Sequence, residues 1–495
     1  MSENKKHFKK KADKVEKPKT EVMIAIEKLA QDLKANKYVK GEMQFTDITN
    51  RDYFLKAYGT KLKYVKKWNK FLTWDDCRWK IDDEGIVEEW IVDFVHQMYR
   101  GMRFINDPNL RTAFEKHLIK SESFRRLQSL IGICKMSKEI KVSEESLDTD
   151  LEMFVTKNCM IDLATMMGRQ SIPEDLSTKC SNFVFKKGAE CPVWDKFLMQ
   201  IFDNNVELIK FIQKAMGYSL SGNVSEQCLF ILWGTGANGK STFLNTLQEL
   251  FGDYSTSTGT ETFMKKTSEQ SNDIARLRGM RLVTTIEAEQ GKPLSESLIK
   301  QITGGDALTA RFLYGEYFSF KPTFKIFMAT NHKPRIKGAD NGIWRRIKLI
   351  PFTVTIPPEH RDPDLMNKLL AENSGIFNWL LKGYDMWKKE GLLEPEAVRN
   401  ANEEYRFDMD SISNFINETM IIDATEKCRL TTRELYETYC YWCNKNNERV
   451  LSQKGLAMKL QEKGFKRMAS NGTRYWLGMG VRLEWKQFNN NKGMK

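Results

Sequence analysis

The sequence predicts a multidomain α/β protein: a phosphate-loop nucleotide-binding core, a mixed α+β region before it and a winged helix after it. Three observations carry that prediction. Gln227 to Thr242, QCLFILWGTGANGKST, sets a compact apolar run (Leu229 to Trp233) against a glycine loop and a helical pattern, and a short apolar run bounded by glycine reads as a buried strand. Two further apolar runs, Arg281 to Ile286 and Phe324 to Ala329, each end in polar residues, where open α/β sheets gather their chemistry. Near the C-terminus, three helical patterns precede a hairpin whose tight turn is Asn471-Gly472.

The central loop justifies itself residue by residue. Gly234, Thr235, Gly236, Ala237, Asn238, Gly239, Lys240 and Ser241 fit G-x-x-x-x-G-K-[ST], and Thr242 opens the helical continuation to Phe251. Strand, loop and helix in that order are the context the motif requires. The glycines let backbone N–H groups turn toward phosphates, and the helix presents its positive end to them. Lys240 is expected to reach the β- and γ-phosphates of ATP, and the Ser241 hydroxyl to ligate Mg²⁺. Gly234, Gly236 and Gly239 also fit the dinucleotide pattern G-x-G-x-x-G, with Asp253 where a ribose-binding acid would be sought. Lys240-Ser241 decides against it, because a dinucleotide site needs neither residue.

At 495 residues the chain has room for two to four domains, and 41% hydrophobic with 29% charged residues describes a soluble globular composition. No run of 18 apolar residues occurs, so no membrane span is expected. Nine scattered cysteines suit a reducing, cytoplasmic setting better than a disulfide framework. The net charge of +13 admits either a solvated surface or a polyanionic partner, and its distribution favours the partner.

In chain order, residues 1–20 carry eight lysines and three acids without apolar periodicity and are expected to be a disordered basic tail. Residues 21–195 form the N-terminal α+β region. It opens with a helix from Val22 to Leu33, then a small antiparallel sheet from Leu62 to Asp82. The aromatics of that sheet, Tyr64, Trp68, Phe71, Trp74 and Trp79, sit among lysines; they suit stacking on single-stranded bases, but core filling is the favoured reading. Helical patterns follow over Gly85–Met102 and Pro108–Cys134, then a loop-rich segment and helices from Trp194 to Gly217. Residues 196–222 read as a helical collar, 223–356 as the nucleotide-binding core, 357–408 as a helical connector and 409–490 as the winged helix.

Within the core, the run ending at Ile286 leads into Glu287-Ala288-Glu289. Glu287 is assigned to the magnesium shell and Glu289 to polarising the attacking water, and the two roles are interchangeable. Asn331, at the end of the Phe324–Ala329 run, suits orienting that water. Arg345 and Arg346 stand at the start of another apolar strand, where one would serve a neighbouring subunit as an arginine finger.

These segments together, FILWGTGANGKST, TTIEAEQG, LIKQITGGDALTARFLYGEYFSF, FMATNHKP and GIWRRIKLIPF, resemble the superfamily-three replicative helicases. Within them the chain is similar to the phage, plasmid and genomic-island primase–helicases related to the poxvirus primase–helicase, over roughly Glu122 to Phe352. The resemblance implies a homo-oligomeric, hexameric ring with an AAA+-like ATPase core and 3′ to 5′ movement on single-stranded DNA. It implies that Phe312 to Phe320, including Tyr314, form a hairpin projecting into the ring's channel. Lys300 and Arg311 become candidate phosphate contacts. The N-terminal region lacks the paired aspartates of a primase module, so a separate primase or polymerase is the expected partner.

The terminal module reads as helices Ser411–Met420, Thr432–Asn446 and Ser452–Lys463, then strands Phe465–Ala469 and Arg474–Met479. A winged helix normally lays one helix in the major groove, which makes Lys454, Lys459, Lys463, Arg467 and Arg474 candidate contacts to double-stranded origin DNA. Cys440 and Cys443 lie at helical spacing without a second pair, which argues for core packing over zinc. The leading expectation is a ring-forming ATP-dependent DNA helicase that also binds an origin. An ATP-switched initiator that recruits a host helicase is the alternative, and a protein remodeller without nucleic acid is disfavoured by the hairpin and the terminal module.

Overall fold

The structure, a computed structural model, describes residues 21–34, 44–265, 271–286, 292–313, 315–336, 341–423, 428–446, 448, 450–470 and 472–485. It is a multidomain mixed α/β protein with a parallel sheet at its core. The chain divides into two compact units, one comprising 1–187 with 250–254, the other 188–249 with 255–495.

The first unit builds its core from helices Glu21–Lys34, Asp47–Tyr58, Ile86–Gly101, Pro108–Ser121 and Phe124–Cys134. Their apolar faces meet at Phe54, Phe94, Phe114 and Leu118. The helix starts are chemically marked. The Asp107 carboxylate accepts from the N–H groups of Asn109 and Leu110, with Pro108 in the first turn. Asp82 likewise accepts from Gly85, Ile86 and Val87. The pattern from Pro108 to Cys134 reads as one helix but is two, because extended Ser123 (φ −65°, ψ 139°) breaks the ladder and its hydroxyl donates to the Lys120 carbonyl.

Strands Leu62–Val65, Lys70–Trp74 and Trp79–Ile81 pair antiparallel as the alternation predicts. A fourth strand, Lys141–Val142, joins parallel to the first. Tyr64, Phe71, Trp74 and Trp79 are buried and fill cores on the two faces of the sheet, while Trp68 is half-buried against one of them.

The second unit contains five parallel strands: β1 (Leu229–Trp233), β2 (Ser255–Ser257), β3 (Leu282–Ile286), β4 (Lys325–Thr330) and β5 (Ile347–Pro351). Their order is β5-β1-β4-β3-β2. Strands β1 and β4 are buried almost throughout, which explains continuous apolar runs instead of alternation. Phe230 and Phe327 stack across them with centroids 4.4 Å apart. The register aligns Trp233 with both Thr330 and Pro351, so three strands end at one level. Everything that follows them in sequence therefore emerges at the same edge of the sheet.

Beside the sheet, helices Val206–Tyr218 and Asn373–Glu390 approach closely through two glycines. A Cβ on Gly383 would lie 2.0 Å from the Gln213 carbonyl oxygen, and one on Gly217 2.2 Å from the Tyr384 nitrogen. The C-terminal part contains helices Ser411–Thr419, Thr432–Lys445 and Gln453–Glu462. Strands Arg467–Ser470 and Thr473–Leu477 form the hairpin, and Arg429–Thr431 adds a third strand beside the second. Gly472 takes the left-handed φ of 74°; Asn471 of the predicted turn lies outside the described residues. Phe415, Tyr439, Trp442, Cys443 and Trp476 form this part's core. Among the described residues no helix is long and apolar enough to cross a membrane.

Candidate nucleotide site and nucleic-acid interface

The loop between β1 and the helix Lys240–Phe251 folds back on itself around Lys240. The Lys240 ammonium donates to the Gly234 carbonyl at 2.7 Å, Asn238 Oδ1 at 3.0 Å and Asn331 Oδ1 at 3.2 Å. Asn331 follows β4 and Gly234 follows β1, so the aligned strand ends bring the two residues to one lysine. Lys240 is 6% exposed, and burial lowers its pKa from the ordinary lysine value.

Two glycines fix the loop's path. Gly239 has φ 82°, and a Cβ there would lie 2.6 Å from Ile201 Cγ2. A Cβ on Gly234 would fall 2.3 Å from both Asn238 Nδ2 and the Phe352 carbonyl. Asn238 itself donates to that carbonyl at 3.3 Å, and the Ile356 N–H donates to the Ala237 carbonyl at 2.8 Å. The loop is thus held by β4 on one side and by the chain after β5 on the other.

A cleft of about 270 Å³ opens over the loop, lined by Gly236 to Thr242 and by Thr330 and Asn331. Ser241 is exposed at the start of the helix. The cleft has basic, amide and hydroxyl groups beside a helix N-terminus, the donor set an anion such as a phosphate chain requires. A larger hollow of about 1110 Å³ shares Ala237, Gly239 and Thr242 with it. Phe197, Gln200, His360, Arg361 and Met366 complete its wall. Sequence reasoning missed this second wall, because 356–368 carries no motif and meets the loop through tertiary contact.

The other predicted residues fall into three groups. Glu287, Glu289 and Tyr314 lie outside the described residues. The arginine pair separates. Arg346 is 8% exposed, donating to Thr303 Oγ1 at 3.0 Å, the Gly342 carbonyl at 2.5 Å and Gln227 Oε1 at 3.4 Å. Its guanidinium is therefore engaged within the chain. Arg345 is exposed, 3.4 Å from the same Gln227 oxygen.

A hairpin pairs Leu308–Ala310 with Phe318–Phe320, so its first arm lies wholly before the predicted segment, which begins at Phe312. Its tip presents Phe312 (49% exposed), Leu313 (71%) and Tyr317 (64%). Arg311 lies over Tyr317 at 4.8 Å and Phe312 stacks on Phe318 at 5.6 Å. Lys300 is half-buried on helix Glu296–Gly304.

In the C-terminal part, Lys454 and Arg474 are exposed. Lys459 pairs with Glu462 at 2.7 Å, Lys463 with Asp410 and Ser413, and Arg467 lies over the Trp476 ring. Three of the five candidates are therefore held by neighbours within the chain.

Residues 51–203 match the family model described as D5 N terminal like, and 232–346 match a family of unknown function (DUF5906). "Putative helicase L207/L206" of Acanthamoeba polyphaga mimivirus is 30% identical over 326 residues, 61% of this chain and 34% of that protein. "Putative primase C962R" of African swine fever virus is 24% identical over 243 residues, 45% of this chain and 25% of the relative. The two family models match separate parts of the chain, and the relatives' printed names are those of helicases and primases of large DNA viruses. The chain spans about a third or less of the length of these curated relatives. A solved structure of the NrS-1 C-terminal region in its apo A form is also similar, with 10% identity, 84% of this chain, 95% of that chain and a TM-score of 0.48.

Proposed function

We propose that this primase–helicase relative is an ATP-dependent replicative DNA helicase. In this reading it moves 3′ to 5′ as a homo-oligomeric ring, with an AAA+-like core and a terminal winged helix that engages origin DNA. The observation that carries the reading is the convergence of Gly234, Asn238 and Asn331 on the buried Lys240 ammonium. A lysine held by neutral oxygens at a helix N-terminus exchanges them readily for phosphate oxygens, which carry full charge.

The triphosphate would lie over Gly234–Thr242, with base and ribose in the hollow beside Phe197 and His360. Ser241 and Glu287 would hold Mg²⁺, which supplies charge neutralisation on the phosphates. Asn331 would pass from Lys240 to the attacking water, with Glu289 as its base. Arg345, exposed where Arg346 is not, would complete the site of the adjacent copy. The hairpin tip, with exposed Phe312 and Tyr317 beside Arg311, suits single-stranded DNA, which binds through base stacking and cation contacts. The relatives' printed names support the same direction. A separate primase or polymerase would supply primers.

Steady-state ATP hydrolysis tests the site. Wild-type protein should hydrolyse ATP with Mg²⁺ and accelerate with single-stranded DNA. Lys240→Ala should lose on the order of 10²–10³-fold in turnover while remaining folded by circular dichroism. Equal turnover in the variant would sink the assignment.

A further inference from the structure

The first unit carries a lysine-dense surface that the nucleotide site does not use. Segments 61–70 (KLKYVKKWNK) and 135–141 (KMSKEIK) hold eight lysines and a single acid, Glu139. They are remote in sequence but adjacent in space, because Tyr64 pairs with Lys141 and Val65 with Val142. Lys135 crosses between them, donating to Asn69 Oδ1 at 3.2 Å with its ammonium over the Tyr64 and Phe71 rings.

The lysines divide by partner. Lys61, Lys67 and Lys70 are paired with Asp76, Glu144 and Asp83 at 3.8, 2.5 and 2.6 Å. Lys63 sits over the Trp79 ring at 5.7 Å. Lys66, Lys138 and Lys141 are exposed and have no ion pair among the described residues. The local acids are therefore mostly used, while Glu139 and Glu145 are exposed nearby. A folded surface that spends its acids on three lysines and concentrates three more at one sheet edge is held together against its own repulsion, and a polyanion relieves that repulsion.

We infer that this edge, formed by the turn 66–70 and the strand Lys141–Val142, is a second nucleic-acid contact that grips the phosphodiester backbone of single-stranded DNA without reading sequence. Tyr64, Phe71, Trp74 and Trp79 behind it are buried and Trp68 in the turn is half-buried against them, so the contact offered here is chiefly electrostatic. This inference rests on the helicase reading for the identity of the strand.

The test uses the full chain, a fluorescent 30-nucleotide oligodeoxythymidine and a salt series without nucleotide. Lys66→Gln/Lys138→Gln/Lys141→Gln should weaken binding at least tenfold at low salt. It should also reduce the slope of log affinity against log salt by about 2, from roughly 0.7 per phosphate contact on single strands. The control Lys61→Gln/Lys70→Gln should change the slope by less than half as much, and both variants should retain DNA-free ATP turnover and melting temperature. An unchanged slope in the triple variant, with wild type binding normally, overturns this inference and leaves the helicase reading intact. Wild type that binds no oligonucleotide even at low salt overturns both. If the triple variant keeps oligonucleotide binding but loses adsorption to phosphatidylserine vesicles, the edge serves a membrane surface and the inference fails.

Discussion

Among single residues, Lys240 holds the centre of the candidate nucleotide site. Its ammonium has exchanged water for three protein oxygens, and desolvation favours its neutral form. Bound phosphates would favour the charged form again. The free protein therefore sheds this proton at lower pH than the nucleotide complex does, and in that window binding must take a proton up. Nucleotide affinity should fall as pH rises through the free-protein pKa of Lys240, which lies below the ordinary lysine value of 10.5. Calorimetric titration with a nonhydrolysable ATP analogue, in alkaline buffers of differing ionisation heat, should register net proton uptake that grows from near zero at neutral pH. Proton release across that range would contradict the arrangement.

At the level of elements, the chain leading into β5 gives two neighbouring arginines opposite fates. Arg346→Ala removes a buried guanidinium bonded to Thr303, Gly342 and Gln227. It should cost about 1.5–3 kcal/mol, the range for hydrogen bonds to a charged group, read as a lowered urea midpoint. Arg345→Ala should leave that midpoint unchanged. The sequence names the pair but not the division, because facing inward or outward at a turn is decided by what packs there, here Thr303 from a helix more than forty residues earlier. The strands β1, β3 and β4 were legible because buried parallel strands leave continuous apolar runs ending in glycine or polar residues. The strand Ser255–Ser257 was not, since three polar residues at a sheet edge carry no period. Lys141–Val142 escaped for the same reason: two residues become a strand through pairing with Tyr64 and Val65. In the site, the loop and Asn331 were readable from motif and strand end. The wall formed by Phe197 and His360 was not, because it reaches the loop through tertiary packing alone.

For the whole molecule, the proposal is that neighbouring copies share each nucleotide site and convert its turnover into movement along a strand. Arg345→Ala and Lys240→Ala subunits would each be inactive alone, one lacking the group it lends and the other the site it owns. Mixed in equal amounts, they should regain a measurable fraction of wild-type ATP turnover, as some interfaces would pair an intact Lys240 with an intact Arg345. Mixtures as silent as the separate variants would count against a shared site. The most direct measurement is strand displacement on a forked DNA duplex with ATP and Mg²⁺. Wild-type protein should separate a duplex bearing a 3′ single-stranded tail, a 5′ tail alone should not support separation, and Lys240→Ala should abolish it. ATP-dependent binding of the fork with no strand released at any protein concentration would contradict the helicase and favour an initiator that recruits one.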